Sequence, residues 1–163
     1  MEKDMELRKF IATTISEYLN ENIQTNKNIK TINFDELYHG TTMDRFEGIS
    51  KNGFSIEKQG EKSGYGSVLG VSMTANIEIA KEHAEWAVGK FGGEEYIVTI
   101  NSKSLKILSG GDFARIDNDY NKAFILYENG LIDGVELCDM ETGDGCEEFE
   151  VFVFNIDKLN QLL

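Results

Sequence analysis

The sequence contains no proline, no internal repeat and no low-complexity tract, so nothing in it reads as a rigid spacer between folding units, and all 163 residues are assigned to one domain. Cysteine is almost as scarce. Cys138 and Cys146 are the whole complement, too few for a disulfide framework or for four thiolate ligands, and a reducing cytoplasmic setting fits that usage. Basic residues are outnumbered, 16 Lys and Arg against 29 Asp and Glu, which leaves a formal charge of −13. Non-specific nucleic-acid binding draws its free energy from neutralising phosphates with cations, so a general nucleic-acid coat is disfavoured. No apolar run approaches the ~20 residues needed to cross a bilayer, and the first ten residues, MEKDMELRKF, lack the apolar segment of a secretory signal. Familiar nucleotide-binding glycine patterns and the HExxH zinc pattern are missing too. Only His39 and His83 could supply imidazole ligands, which argues against a zinc centre.

What is present is patterned. Acid is concentrated late: residues 1–128 carry 15 bases and 20 acids, whereas residues 129–150 carry eight acids and no base. From residue 3 to 23, Leu7, Phe10, Ile11, Ile15, Tyr18, Leu19 and Ile23 recur at helical spacing, which predicts an amphipathic helix within an N-terminal extension covering residues 1–30. A strand follows near 34–39 and a helix near 42–51, with Thr41 and Asp44 as a capping box and Gly53 as C-cap. Residues 55–67 read as a polar loop, 68–74 as a strand, and 77–91 as a helix. Its apolar positions are Ile77, Ala80, Ala84, Ala87, Val88 and Phe91, Trp86 is assigned to the core, and Gly92 and Gly93 stop it. Strands are expected at 96–100, 105–108, 134–138 and 149–154, and a helix at 119–129 ended by Gly130. Helices lead and strands dominate the second half, so the fold class is α+β with a largely antiparallel sheet.

Three short segments carry chemically useful side chains. In LYHGTT, His39 precedes Gly40 at a strand end; it is either a turn histidine bonding a nearby carbonyl or a ring offered to a ligand that approaches the glycine backbone. In GVSMTAN, Ser72 and Thr74 project from one strand face and suit either helix capping or hydrogen bonding to a ligand. In EEFEVFVFN, Glu148 and Glu150 share a face opposite Phe149, either as a solvated acidic edge or as a pair of carboxylates facing a cleft.

Taken in order, these segments resemble the three motifs of the ADP-ribosyltransferase superfamily. LYHGTTMDRFEGISKNGF is similar to its first motif, GVSMTANIEIAKEHAEWA to its second, and LYENGLIDGVELCDMETGDGCEEFEVFVFNIDKL to its closing hairpin, so the likeness spans residues 37–159. The resemblance implies a split, mainly antiparallel sheet with flanking helices. It also implies transfer of ADP-ribose from NAD to a macromolecular acceptor, with NAD as substrate and no metal. On that reading Glu150 is the catalytic carboxylate, Glu148 orients the acceptor, and Ser72 holds Glu150. Thr74 supports the second motif, His39, Gly40 and Thr41 position NAD, and Arg45 or backbone amides at residues 41–43 take the pyrophosphate. The sequence departs from the poly-ADP-ribose polymerase and diphtheria-toxin branch in placing Ser72 where a tyrosine stacks on nicotinamide; Tyr65 is the replacement on offer. It departs from the Arg-Ser-Glu branch in placing His39 where an arginine stands.

The charge favours a protein acceptor over nucleic acid, and RNA 2′-phosphotransfer ranks low for the same reason. A toxin, phage or defence effector suits so small a unit. Two other functions remain open: NAD hydrolysis, with water as acceptor, and a non-catalytic module of the same fold that binds a protein through its acidic C-terminal half. His83 is read as packed or solvent-facing.

Overall fold

A computed structural model describes residues 29–54, 70–137 and 150–163. The expected N-terminal helix, Tyr65 and Glu148 lie outside these residues. The strands are β1 (Thr31–Ile32), β2 (Glu36–Thr42), β3 (Val71–Thr74), β4 (Glu95–Asn101), β5 (Ile107–Leu108), β6 (Gly134–Leu137) and β7 (Glu150–Val153). The helices are α1 (Met43–Asn52), α2 (Ile77–Phe91), α3 (Gly110–Arg115), α4 (Tyr120–Glu128) and α5 (Ile156–Asn160). The class is α+β, as the sequence indicates. The seven strands form one mixed sheet in the order β1-β5-β6-β7-β3-β2-β4, antiparallel throughout except for the β5–β6 pair. No helix among the described residues is long and apolar enough to cross a membrane.

Alternation along β7 explains its central place. Val151 and Val153 enter one apolar cluster with Leu37, Val71, Met73, Val98 and Ile100, while Phe152 enters a second with Val135, Leu126, Phe113 and Phe154. A strand buried on both faces contributes to two cores at once, and each fully buried Val or Phe stabilises by roughly 1.5–3 kcal/mol. The open acidic face expected for this strand is therefore confined to its first residue: Glu150 is half-buried, and Phe152 on the same face is 1% exposed.

Helix α2 has the bounds that its sequence predicts, with the Asn76 side chain accepting from Glu78 N and Gly92 closing it at φ 73°. It lies against β2 through Ala80, Ala84 and Ala87, all buried. The approach is close because Gly40 has no side chain: a Cβ there would sit 2.0 Å from the Ala80 carbonyl oxygen and 2.6 Å from the Ala84 nitrogen. The expected partners Ile77 and Phe91 lie outside that stripe, at 43% and 45% exposure. At α1 the expected capping box is not formed. Thr42 is the N-cap and makes no side-chain cap bond, Thr41 is buried in β2, and the Met43 amide donates to the Glu94 carbonyl at 2.9 Å. The short elements β1, α3 and α5 were not expected from periodicity; each spans six residues or fewer, too short for a 3.6-residue repeat to register.

Candidate functional site

The sheet is joined unevenly. β2 pairs with β4 along seven residues, and β3 pairs with β7 along four, but β2 and β3 share only the Tyr38–Thr74 pair. Beyond that point residues 39–42 continue beside β4 while residues 71–73 continue beside β7, and the sheet splits. Backbone groups on the facing edges lose their ladder partners there. One of them, the Ser72 carbonyl, accepts a hydrogen bond from His39 Nδ1 at 2.9 Å, so the imidazole spans the split where a strand-to-strand bond would otherwise lie.

A groove of about 550 Å³ opens along this split and under α2. His39, Gly40 and Thr41 line it from β2, Ser72 from β3, Glu150 from β7 and Arg45 from α1. Helix α2 adds Glu82, His83, Trp86, Ala87 and Phe91. Register places Ser72, Thr74 and Glu150 on the sheet face that carries Gly40 and α2, whereas His39 alternates to the other face beside Leu37. It reaches the groove through the split, with its ring edge-on to Phe54 at 5.5 Å between centroids. Burial pushes the His39 pKa below its ordinary value. The Ser72 carbonyl opposes that shift, and the nearby His83 and Arg45 reinforce it. A neutral ring whose Nδ1–H donates to Ser72 presents Nε2 as a hydrogen-bond acceptor.

Glu150 heads β7 between Thr74 and Leu137, so its Cα is held from both sides. Its carboxylate Oε1 lies 3.5 Å from Nε2 of His83, with the two side chains 23% and 45% exposed. No hydrogen bond joins Glu150 to Ser72, contrary to expectation. Ser72 stands opposite Phe152, one pleat away, and His83 supplies the polar contact instead. Thr74 is fully buried, and its hydroxyl accepts from the Asn76 amide at 3.0 Å. It braces the turn into α2 and is not among the residues lining the groove.

Gly40 borders the groove, and the close approach seen at its missing side chain is that of helix α2. Of the anion donors expected near the start of α1, the Met43 amide is occupied by Glu94, while Arg45 faces the groove with its guanidinium stacked 4.3 Å from the centre of the Phe91 ring.

Trp86, assigned to the core from sequence, is 65% exposed and lies on the groove, with Lys90 Nζ 4.6 Å from its ring centre. Glu82, His83, Trp86, Ala87 and Phe91, all from α2, are the lining residues that sequence reasoning missed. The available signal was the alanine stripe at 80, 84 and 87. Three small residues at helical spacing mark a helix pressed against backbone, and the bulky residues beside such a stripe must overhang its edge. Among the described residues no group of three or more His, Cys, Asp and Glu side chains is arranged to hold a metal ion. The chain matches no protein-family model, no curated protein and no solved structure.

Proposed function

We propose that the groove binds NAD and that the protein transfers the ADP-ribose portion to a macromolecular acceptor, releasing nicotinamide. The carrying observation is that Glu150, Ser72 and His39, from three distant stretches of sequence, border one groove where the sheet divides. The split sheet supports an ADP-ribosyltransferase-like architecture. The motif order read from the sequence supports the same assignment.

The chemistry suits the side chains present. Breaking the bond between the ribose anomeric carbon and the nicotinamide nitrogen sends its electron pair to nicotinamide and leaves positive charge on the ribose. A fixed carboxylate beside that carbon stabilises the oxocarbenium-like state, as in glycoside cleavage. Glu150 takes this role. His39 accepts a ribose hydroxyl at Nε2, and Ser72 lies beside the ribose. Arg45 neutralises the pyrophosphate. Trp86 and Phe91 are the aromatic rings that the described groove offers to a planar base in place of the missing tyrosine. The nucleophile on the acceptor, favoured as a protein by the −13 charge, attacks the anomeric carbon and releases its proton to solvent.

The test is to incubate purified protein with NAD and follow nicotinamide release. Glu150→Gln should lower turnover by on the order of 10²–10³, the scale of one lost electrostatic stabiliser, with thermal unfolding unchanged. Full turnover in that variant would remove the assignment. NAD binding without release would leave the non-catalytic module standing. Labelled NAD in lysate then separates transfer, which labels a macromolecule, from hydrolysis, which yields free ADP-ribose.

A further inference from the structure

Strand pairing on both sides fixes the backbone of Glu150 but leaves its side-chain torsions free. A carboxylate acting on a developing charge has to point one oxygen at it, and misplacement by an ångström costs much of the effect. Something must hold the other oxygen. The expected partner, Ser72, makes no such bond, and among the described residues the contact present is from His83 Nε2 to Oε1 at 3.5 Å. His83 stands on the second turn of α2, and that helix is anchored by its alanine stripe against Gly40, so the imidazole is presented from a rigid element. Both side chains line the groove.

From this geometry we infer that His83 is a positioning residue for Glu150: its Nε2–H holds Oε1 and leaves Oε2 to face the reacting ribose. The inference rests on the role given to Glu150 above. At 3.5 Å the contact is within reach of hydrogen-bond length, and catalytic contacts commonly tighten in the substrate complex. The inference is specific to one atom, because Nε2 and not Nδ1 faces the carboxylate. A glutamine side chain places its amide nitrogen near the position of Nε2, whereas asparagine places it near that of Nδ1.

The experiment measures nicotinamide release from NAD by wild type, His83→Ala, His83→Gln and His83→Asn, with Glu85→Gln on the same helix as control. His83→Ala should lower kcat by about 10- to 100-fold, the range for loss of a residue that orients a reacting group. KM for NAD should move by less than about threefold, since the lost contact is to the enzyme's own carboxylate. His83→Gln should restore most of kcat, and His83→Asn should not. A readout independent of turnover comes from ¹⁵N spectra, which two histidines make simple to assign. Glu150→Gln should shift the His83 Nε2 resonance more than that of His39. Wild-type kcat in His83→Ala, equal rescue by Gln and Asn, or an unmoved His83 resonance would each overturn the positioning role while leaving NAD turnover in place. A wild-type protein that releases no nicotinamide overturns the functional reading and this inference together.

Discussion

Two carboxylates from the same acid-rich stretch meet opposite fates. Asp133 is 4% exposed and held by three donors: the Lys106 amide at 2.8 Å and Lys158 Nζ at 2.7 Å on Oδ2, and Asn155 Nδ2 at 2.7 Å on Oδ1. It ties the approach to β5 to the junction of β7 and α5. Among the described residues Glu150 has one side-chain polar contact, a long one to His83, and it borders the groove. A carboxylate buried among three donors serves the fold, because its oxygens are turned inward to protein groups. An under-partnered one keeps oxygens available for a ligand. Glu136 sides with Asp133: it is 7% exposed and accepts from the Gly110 amide at 2.8 Å. Two of the eight late acids are therefore internal anchors, and the acidic surface imagined for a protein-binding module is correspondingly reduced.

The contrast is broken most directly by exchanging the consequences. Glu150→Gln should remove on the order of 10²–10³ in turnover. Its midpoint of thermal unfolding should stay within the change expected of a surface substitution, about 0.5 kcal/mol. Asp133→Ala should do the reverse, destabilising by about 3 kcal/mol because it strands the Lys158 charge and the Lys106 amide, while the folded fraction keeps its turnover; denaturant titration beside an activity assay checks both. A loss of stability from Glu150→Gln as large as that from Asp133→Ala would erase the distinction.

Gly40→Ala should destabilise by about 1–3 kcal/mol. It should also impair the groove, since its Cβ meets the backbone of α2 and not a mobile side chain, and a crystal structure of the variant would show the helix displaced. Acid sharpens the comparison further. Burial lowers the His39 pKa, so its contribution is complete above the ordinary value of 6.5 and declines as pH falls from there toward the lowered value. The Lys106 amide, Lys158 and Asn155 lower the Asp133 pKa against the opposing effect of burial, so its contribution is complete above the ordinary 3.8 and is lost as pH falls through the lowered value. Stability measured against pH should therefore fall in two stages. His39→Gln should flatten the upper stage and Asp133→Asn the lower; a single stage unaffected by either variant would contradict both. The smallest effect belongs to Trp86→Ala, within about 0.5 kcal/mol in stability because the ring is exposed, with a rise of severalfold in KM for NAD as the measurable change.

Much of this was legible before the fold. Helix α2 has caps and periodicity strong enough to fix both ends, and His39, Ser72 and Glu150 were identifiable as strand-end polar groups in an order with a chemical sense. The two readings of His39 turn out to be compatible: Nδ1 satisfies a carbonyl, as an ordinary structural histidine does, while the ring still lines the groove. Other assignments failed for identifiable reasons. Trp86 was placed in the core by hydrophobicity, yet the core-facing stripe of α2 is set by what Gly40 allows to approach, and that stripe is alanine. The motif resemblance implies a Ser72–Glu150 contact, but strand register sets the two residues one pleat apart.

The primary structure alone determined the types of the longer elements, the ends of the long helix and which side chains had chemistry to offer, because periodicity, caps and residue chemistry are local. Only tertiary structure decided that the sheet divides beyond the Tyr38–Thr74 pair, that His83 faces Glu150, and that Asp133 is buried among three donors while Glu150 borders the groove. Those outcomes depend on strand register and on the distance between elements far apart in the chain, quantities that no local spacing encodes.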